Sequence, residues 1–141
     1  MSARTTSNLG ESIEWDVWKP SMLATLLFIV DGDRVLLIRK KRGLGAGKIN
    51  APGGKIEPAE TARECAIRET IEEIGVRGID PVEHGELFFH FTDGLKLHCR
   101  VFVAQDHEGE PIETDEAIPL WFKIAEIPYG EMWEDDQHLS L

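Results

Sequence analysis

Cysteine and basic charge are both scarce in this chain, and each shortage excludes something. Cys65 and Cys99 are too few for a disulfide framework, and neither lies in a CxxC pair or among the spaced Cys and His of a zinc site. They read as reduced core thiols of a cytoplasmic protein. The longest hydrophobic run, 22–30, has nine residues, whereas a membrane-spanning helix needs about 20, so no membrane partner is expected and the run reads as a buried strand. The first 14 residues lack the apolar stretch of a secretory signal. Only 15 Lys and Arg stand against 26 Asp and Glu, a net charge of -11 that repels long polyanions and excludes a nucleic-acid strand as partner. A small anion can still bind where the sign is locally reversed. With 7 prolines and 42% hydrophobic residues, the 141-residue chain is neither disordered nor collagen-like, and its length suits a single core.

No repeat or low-complexity segment is present. Residues 1–20 read as a polar extension ending at Pro20, in which Trp15 and Trp18 alternate around Val17 and can cover an edge of the core; 21–141 reads as one domain. The β-rich segments 22–30 and 34–39 flank Asp31-Gly32-Asp33, a hairpin signal. A loop with five glycines follows at 41–55. The segment 60–76 is the strongest helix, with Thr61 and Glu64 spaced as a capping box and Gly75 as a stop. A second hairpin is expected from 86–91 and 95–104 around Thr92-Asp93-Gly94, then a short strand at 119–124 and a last helix near Trp133. Strands, helix, strands and helix in that order predict an α/β layered domain with a mixed sheet covered by helices.

On the expected helix, Glu69, Glu72 and Glu73 share an arc of roughly 100° at 3.6 residues per turn. Ala62, Cys65 and Ala66 lie on the same arc, while Ile67, Thr70, Ile71 and Ile74 gather opposite and are the expected core face. Arg68 can pair with Glu64 or Glu72, but Glu69 and Glu73 find no basic partner on the helix. Such an arc is either a solvated acidic face or a seat for a hard cation such as Mg²⁺, Mn²⁺ or Ca²⁺. The neighbouring loop favours the second: Gly53-Gly54-Lys55 lets backbone approach an ion or phosphate, and six of the 15 basic residues fall within 39–55. That loop is a plausible pyrophosphate neighbourhood.

Gly54, Glu60, Arg68, Glu69, Glu72, Glu73, Gly75 and Val76 match the spacing G-x5-E-x7-R-E-U-x-E-E-x-G-U over 54–76, with Thr70 at the first apolar position U. In this the chain resembles the Nudix hydrolases. The resemblance implies the Nudix α/β/α sandwich with a mixed sheet, a need for Mg²⁺ (or Mn²⁺ as substitute), and hydrolysis of a nucleoside diphosphate linked to another moiety. It further implies Glu69, Glu72, Glu73 and the Gly53 carbonyl as metal ligands and Arg68 as the residue that orients a carboxylate. A divalent cluster there neutralises phosphate charge, and a carboxylate or metal-bound hydroxide activates the attacking water; which glutamate is the general base stays open.

Outside that segment the chain is similar to the oxidised-purine nucleoside triphosphatases, which clear 8-oxo-dGTP and 2-hydroxy-dATP. The similarity runs through Lys40-Lys41-Arg42-Gly43, Asn50, Gly53-Gly54-Lys55, Glu113-Thr114-Asp115-Glu116, Trp121-Phe122 and Met132 to Asp136. It implies a nucleotide pocket of Thr25, Lys40, Asn50, Phe89, Phe91, Trp133, Asp135 and Asp136, with Glu116 as a further metal ligand. Phe89 and Phe91 read equally as strand core, Asp135 and Asp136 as the start of a helix, and Asn50 as a turn residue. Leu44, Ile49, Pro52 and Leu97 stand where the vertebrate enzymes carry Phe, Trp, Phe and Met, which implies a remodelled pocket floor. Family members continue through the last helix and usually a further hairpin, whereas this sequence stops at Leu141, within the expected last helix. A small nucleotide is the expected partner of a monomer; a hydrolase of another nucleotide (a dinucleoside polyphosphate or an unmodified dNTP) and a non-catalytic nucleotide sensor are the alternatives.

Overall fold

The computed structural model describes residues 2–4, 22–43, 46–90 and 94–128. Trp15, Trp18, Leu44, Phe91, Trp133, Asp135, Asp136 and the expected last helix lie outside them. The sheet is built on β2 (Met22–Asp31), whose even and odd residues are apolar alike because both of its faces are covered. β2 runs on through a turn with Gly32 at φ 62° into β3 (Arg34–Lys40), the expected hairpin. With β1 (Ser2–Arg4), β7 (Val82–His90), β8 (Lys96–Ala104) and β10 (Ala117–Lys123), the order is β1-β7-β8-β2-β3-β10. β1 with β7 and β2 with β8 are parallel; the other pairings are antiparallel, so the sheet is mixed, as expected. Pro119 is tolerated because β10 is an edge strand.

Several strands escape the sequence reading. The glycine loop contains β4 (Ile49–Asn50) and β5 (Gly53–Lys55), β1 falls in the expected polar extension, and β6 (Arg77–Gly78) pairs with β9 (His107–Glu108) in a small second sheet. These segments are too short to show a period. β2 pairs with β3 only through Ile29–Asp31, and its first half pairs with β5 instead, Thr25 opposite Gly54. That divergence brings the glycine loop into the middle of the sheet.

The helix α1 (Ala62–Ile74) carries both sides of the capping box at Thr61 and Glu64, and ends at Gly75 with φ 72°, where a left-handed residue is needed. Its orientation corrects the expected core face. Ala62, Cys65, Ala66, Thr70, Glu73 and Ile74 are buried, whereas Ile71 is 42% exposed. Small residues let the helix axis lie close to β2 and β5, and the carboxylates of the same face enter the gap; two isoleucines there would hold the helix off. Counting apolar residues therefore places Thr70 and Ile74 correctly, but it turns Ile71 inward and misses Ala62, Cys65, Ala66 and Glu73. Apolar clusters fill both faces of the sheet: Leu27, Ile29, Leu36 and Ile38 meet α1, and Leu26, Phe28, Leu37, Phe89 and Val101 point the other way. Among the described residues no helix is long and apolar enough to cross a membrane.

Candidate active site

The gap between α1 and β5 is closed by glycine. A Cβ on Gly53 would stand 1.9 Å from the Thr25 carbonyl oxygen, and one on Gly54 would stand 2.1 Å from Oε2 of Glu69. A side chain at Gly53 would collide with the β2 main chain, and one at Gly54 would push the Glu69 carboxylate away. The Gly53 N–H donates to Glu73 Oε1 at 2.8 Å, so loop and helix are tied through the candidate site itself. Beneath it, Cys65 Sγ lies 3.3 Å from the Thr25 hydroxyl and donates to the Gly54 and Lys55 carbonyls at 3.5 and 3.4 Å.

Arg68 holds the outer side. Its Nε and Nη2 fork onto Glu60 at 2.9 and 2.6 Å, Nη1 donates to Glu72 at 3.1 Å, and Nη2 reaches the Lys55 carbonyl at 3.3 Å. Of the two partners open to Arg68 the structure selects Glu72. Glu64 is not a partner of Arg68, because its carboxylate is spent on the Thr61 N–H. One expectation needs correction: Glu69 does have a basic neighbour on the helix, Arg68 Nη1 at 3.5 Å.

Glu69, Glu73 and Glu116 line one pocket of about 250 Å³ together with Lys40, Arg42, Gly43, Gly53 and Gly54. Burial, the largest cause, pushes Glu73 up to about 8; the Gly53 N–H and Lys40 oppose it, while Glu69 and Glu116 add to it. Glu69 is pushed up to about 7, again by burial first, with Arg68 opposing and Glu72 and Glu116 reinforcing. Burial in a low-dielectric gap outweighs the positive charge that Arg68 and Lys40 bring to these carboxylates. A hard dication suits that deficit and that all-oxygen donor set. Among the described residues no three such groups already stand close enough to hold an ion; Glu72 is half-exposed and turned to Arg68. Glu116 Oε1 is 3.6 Å from Arg42.

A second cavity, about 130 Å³, opens on the other side of the glycine loop. Six expected substrate residues line it: Thr25, Lys40, Asn50, Gly53, Gly54 and Lys55. The Thr25 hydroxyl, however, is directed at Cys65. Asn50 is buried, and its Oδ1 accepts from the Ala51 N–H at 2.7 Å, so what it offers a ligand is the amide nitrogen. Phe89 is fully buried in the core cluster and is not part of the lining. Ile49 and Pro52 are likewise buried outside it, whereas Leu97 is in the wall. Sequence reasoning missed Met22, Ala24, Leu26, Ala51 and Cys99 as lining residues. Met22, Ala24 and Leu26 share one face of β2, but only the parallel register, Ala24 opposite Cys99, shows that this face and one face of β8 wall the same cavity. Cavity and acidic pocket share Lys40, Gly53 and Gly54.

The NUDIX domain family model matches residues 20–140. The chain is 44% identical to the oxidized purine nucleoside triphosphate hydrolase of Danio rerio over 117 residues, covering 82% of this chain and 75% of that protein. It is 38% identical to the Mus musculus protein of the same name over 120 residues, 84% of this chain and 76% of the other. Among solved structures, the MutT NUDIX hydrolase from Burkholderia pseudomallei superposes with a TM-score of 0.70 at 28% identity, over 79% of this chain and 88% of that one.

Proposed function

The chain belongs to the Nudix hydrolase family, and we propose that it hydrolyses oxidised purine nucleoside triphosphates to monophosphate and pyrophosphate, clearing them from the nucleotide pool as a cytoplasmic monomer with Mg²⁺, or Mn²⁺ in its place. One observation carries the substrate class. A largely apolar cavity and a carboxylate pocket adjoin, and Lys40, Gly53 and Gly54 belong to both. A ligand with a flat apolar end and a polyanionic end matches that pair, with the phosphates crossing the glycine edge.

Nudix hydrolases generally need a divalent metal, and Glu69, Glu72, Glu73, Glu116 and the Gly53 carbonyl are the groups proposed to hold it. When bound, the ion offsets phosphate charge and polarises the phosphorus. The chain's own groups supply the rest. Lys40 faces the phosphates from the shared wall, and Arg68, forked onto Glu60, keeps Glu69 and Glu72 in place. Water adds to phosphorus as the anhydride P–O bond breaks, and the proton it releases goes to one of the coupled carboxylates of Glu69, Glu72 and Glu73. Asn50 offers the base its amide nitrogen. Trp133 is proposed to stack on the purine, with Asp135, Asp136 and Phe91 completing the pocket.

The test is pyrophosphate release with Mg²⁺ from 8-oxo-dGTP, 2-hydroxy-dATP, dGTP, dATP and a dinucleoside polyphosphate. The oxidised purines are expected to give the highest kcat/KM, and EDTA to abolish turnover. Preference for an unmodified nucleotide or a dinucleoside polyphosphate would move the assignment to the second reading, which Leu97 in the cavity wall favours because the vertebrate enzymes carry Met there. Asp135→Asn and Asp136→Asn are expected to change the ratio of activities on the two oxidised substrates, since an amide both donates and accepts. An unchanged ratio removes these residues from the pocket.

A further inference from the structure

The acidic pocket is assembled from two segments far apart in sequence, and one hydroxyl joins them. Glu69 and Glu73 come from α1; Glu116 comes from the turn before β10. The last carbonyls of a helix have no partner within it, and here the segment leading to β10 supplies two. The Ile112 N–H donates to the Ile74 carbonyl at 3.0 Å, and the Thr114 hydroxyl donates to the Glu73 carbonyl at 2.6 Å. The same Thr114 oxygen accepts the Glu116 N–H at 3.1 Å. Thr114 thus bridges the main chain of one carboxylate residue to that of another. The turn is pinned on its other side as well: the Thr114 N–H donates to the Ala117 carbonyl at 3.0 Å, the Lys41 N–H donates to the Glu116 carbonyl at 2.9 Å, and the Lys41 ammonium pairs with Glu113.

We infer that Thr114 is a positioning residue: its hydroxyl, held between the Glu73 carbonyl and the Glu116 N–H, sets where Glu116 stands relative to Glu69 and Glu73, and so sets the affinity of the pocket for a divalent cation. The inference rests on the reading of Glu116 as a ligand. Without the hydroxyl, the Glu116 N–H and the Glu73 carbonyl both lose a partner, and the side chain opposite the helix is free to follow Arg42, its neighbour at 3.6 Å. Thr114 lines neither the acidic pocket nor the cavity beside it, so its effect on a bound cation passes through Glu116.

That dependence is what the experiment reads. Mn²⁺ alone is titrated into the purified protein and followed by the loss of the free-ion electron paramagnetic resonance signal, for wild type, Thr114→Val, Thr114→Ser, Glu116→Gln and the Thr114→Val/Glu116→Gln double variant. Thr114→Val is expected to weaken Mn²⁺ about tenfold, the usual scale for a residue that orients a ligand, and to lower kcat while the nucleotide KM stays within about twofold. Thr114→Ser keeps the hydroxyl and is expected to bind as wild type does. The double variant is expected to bind no more weakly than Glu116→Gln, since a residue acting through Glu116 has nothing left to position. Multiplying losses in the double variant, or normal Mn²⁺ affinity in Thr114→Val beside a weakened Glu116→Gln, overturns the role of Thr114 and leaves the ligand reading standing. Normal affinity in Glu116→Gln overturns both. If Thr114→Val does not fold, Thr114→Ala carries the same comparison.

Discussion

Glu60, just before α1, and Glu73, in its last turn, are the same residue type in opposite situations. Glu60 accepts both arms of the Arg68 fork and the Glu57 N–H at 2.9 Å, and the Arg68 bonds, the largest cause, hold its carboxyl down at about 2. Glu73 accepts one N–H, is 3% exposed, and is pushed up to about 8. A fold that only needed stability would treat both alike, because a buried, uncompensated carboxylate costs several kcal/mol of order-of-magnitude desolvation. One end of the helix is therefore finished by the protein alone, and the other is left with a charge deficit that a ligand must complete.

The comparison breaks most severely at Glu73. Glu73→Gln keeps an oxygen for the Gly53 N–H but removes the charge, so turnover is expected to fall by about 10²–10³-fold, the scale of losing one electrostatic contact to the transition state. The metal-free protein is expected to melt no lower than wild type. Pyrophosphate release and calorimetry on the same sample check both halves; near-normal turnover removes Glu73 from the machinery.

A pH titration of metal-free stability sharpens the same contrast. Glu69 and Glu73 bind protons more tightly folded than unfolded, so their contribution favours the fold at low pH and is lost as pH rises from the ordinary carboxyl value of 4.5 through about 7 and 8. Glu60 has the opposite sign: its contribution is present above 4.5 and lost as pH falls toward about 2. The metal-free Tm is expected to decline between pH 5 and pH 9, with Mg²⁺ restoring it at the alkaline end. A Tm that rises across that range contradicts the charge deficit. Glu60→Gln should then flatten only the acid limb and lower the Tm by a few degrees, with less than about tenfold loss of turnover, because Arg68 still holds Glu69 and Glu72.

The helix ends and the catalytic spacing were legible because both are local. Thr61, Glu64 and Gly75 cap by contacts within a few residues, and the recurrence of Gly54, Glu60, Arg68, Glu69, Glu72 and Glu73 at fixed intervals marks the family without any geometry. The buried face of α1 was only half assigned, Thr70 and Ile74 rightly and Ile71 wrongly, because much of its contact is made by alanine, cysteine and Glu73, a pattern that apolar counting scores as exposed. β4 and β5 were missed because two or three residues show no period, and they are held by β3 and β2 rather than by their own preferences. Cys99 was placed in the core on composition; only the pairing with β2 shows that the same buried side borders the cavity.

The smallest effect is expected at Cys65, which sits between the two halves of the comparison and belongs to neither. Its side chain is fully buried, and burial first of all pushes the thiol up to about 11, so almost no thiolate exists at neutral pH to act as a nucleophile. What Sγ supplies is volume and four weak polar contacts, to the Thr25 hydroxyl, the Gly54 and Lys55 carbonyls and Arg68 Nη2. Cys65→Ala leaves the Glu73 to Gly53 tie untouched and removes one atom from beneath it, a loss of about 1–2 kcal/mol by the scale of small core deletions. Turnover is expected to stay within about twofold and the Tm to drop by a few degrees. Thiol alkylation separates this from a chemical role: a reagent that reaches Cys99 in the cavity wall inactivates wild type and Cys65→Ala equally, whereas inactivation of wild type alone would make Cys65 the reactive group and overturn its part as filler.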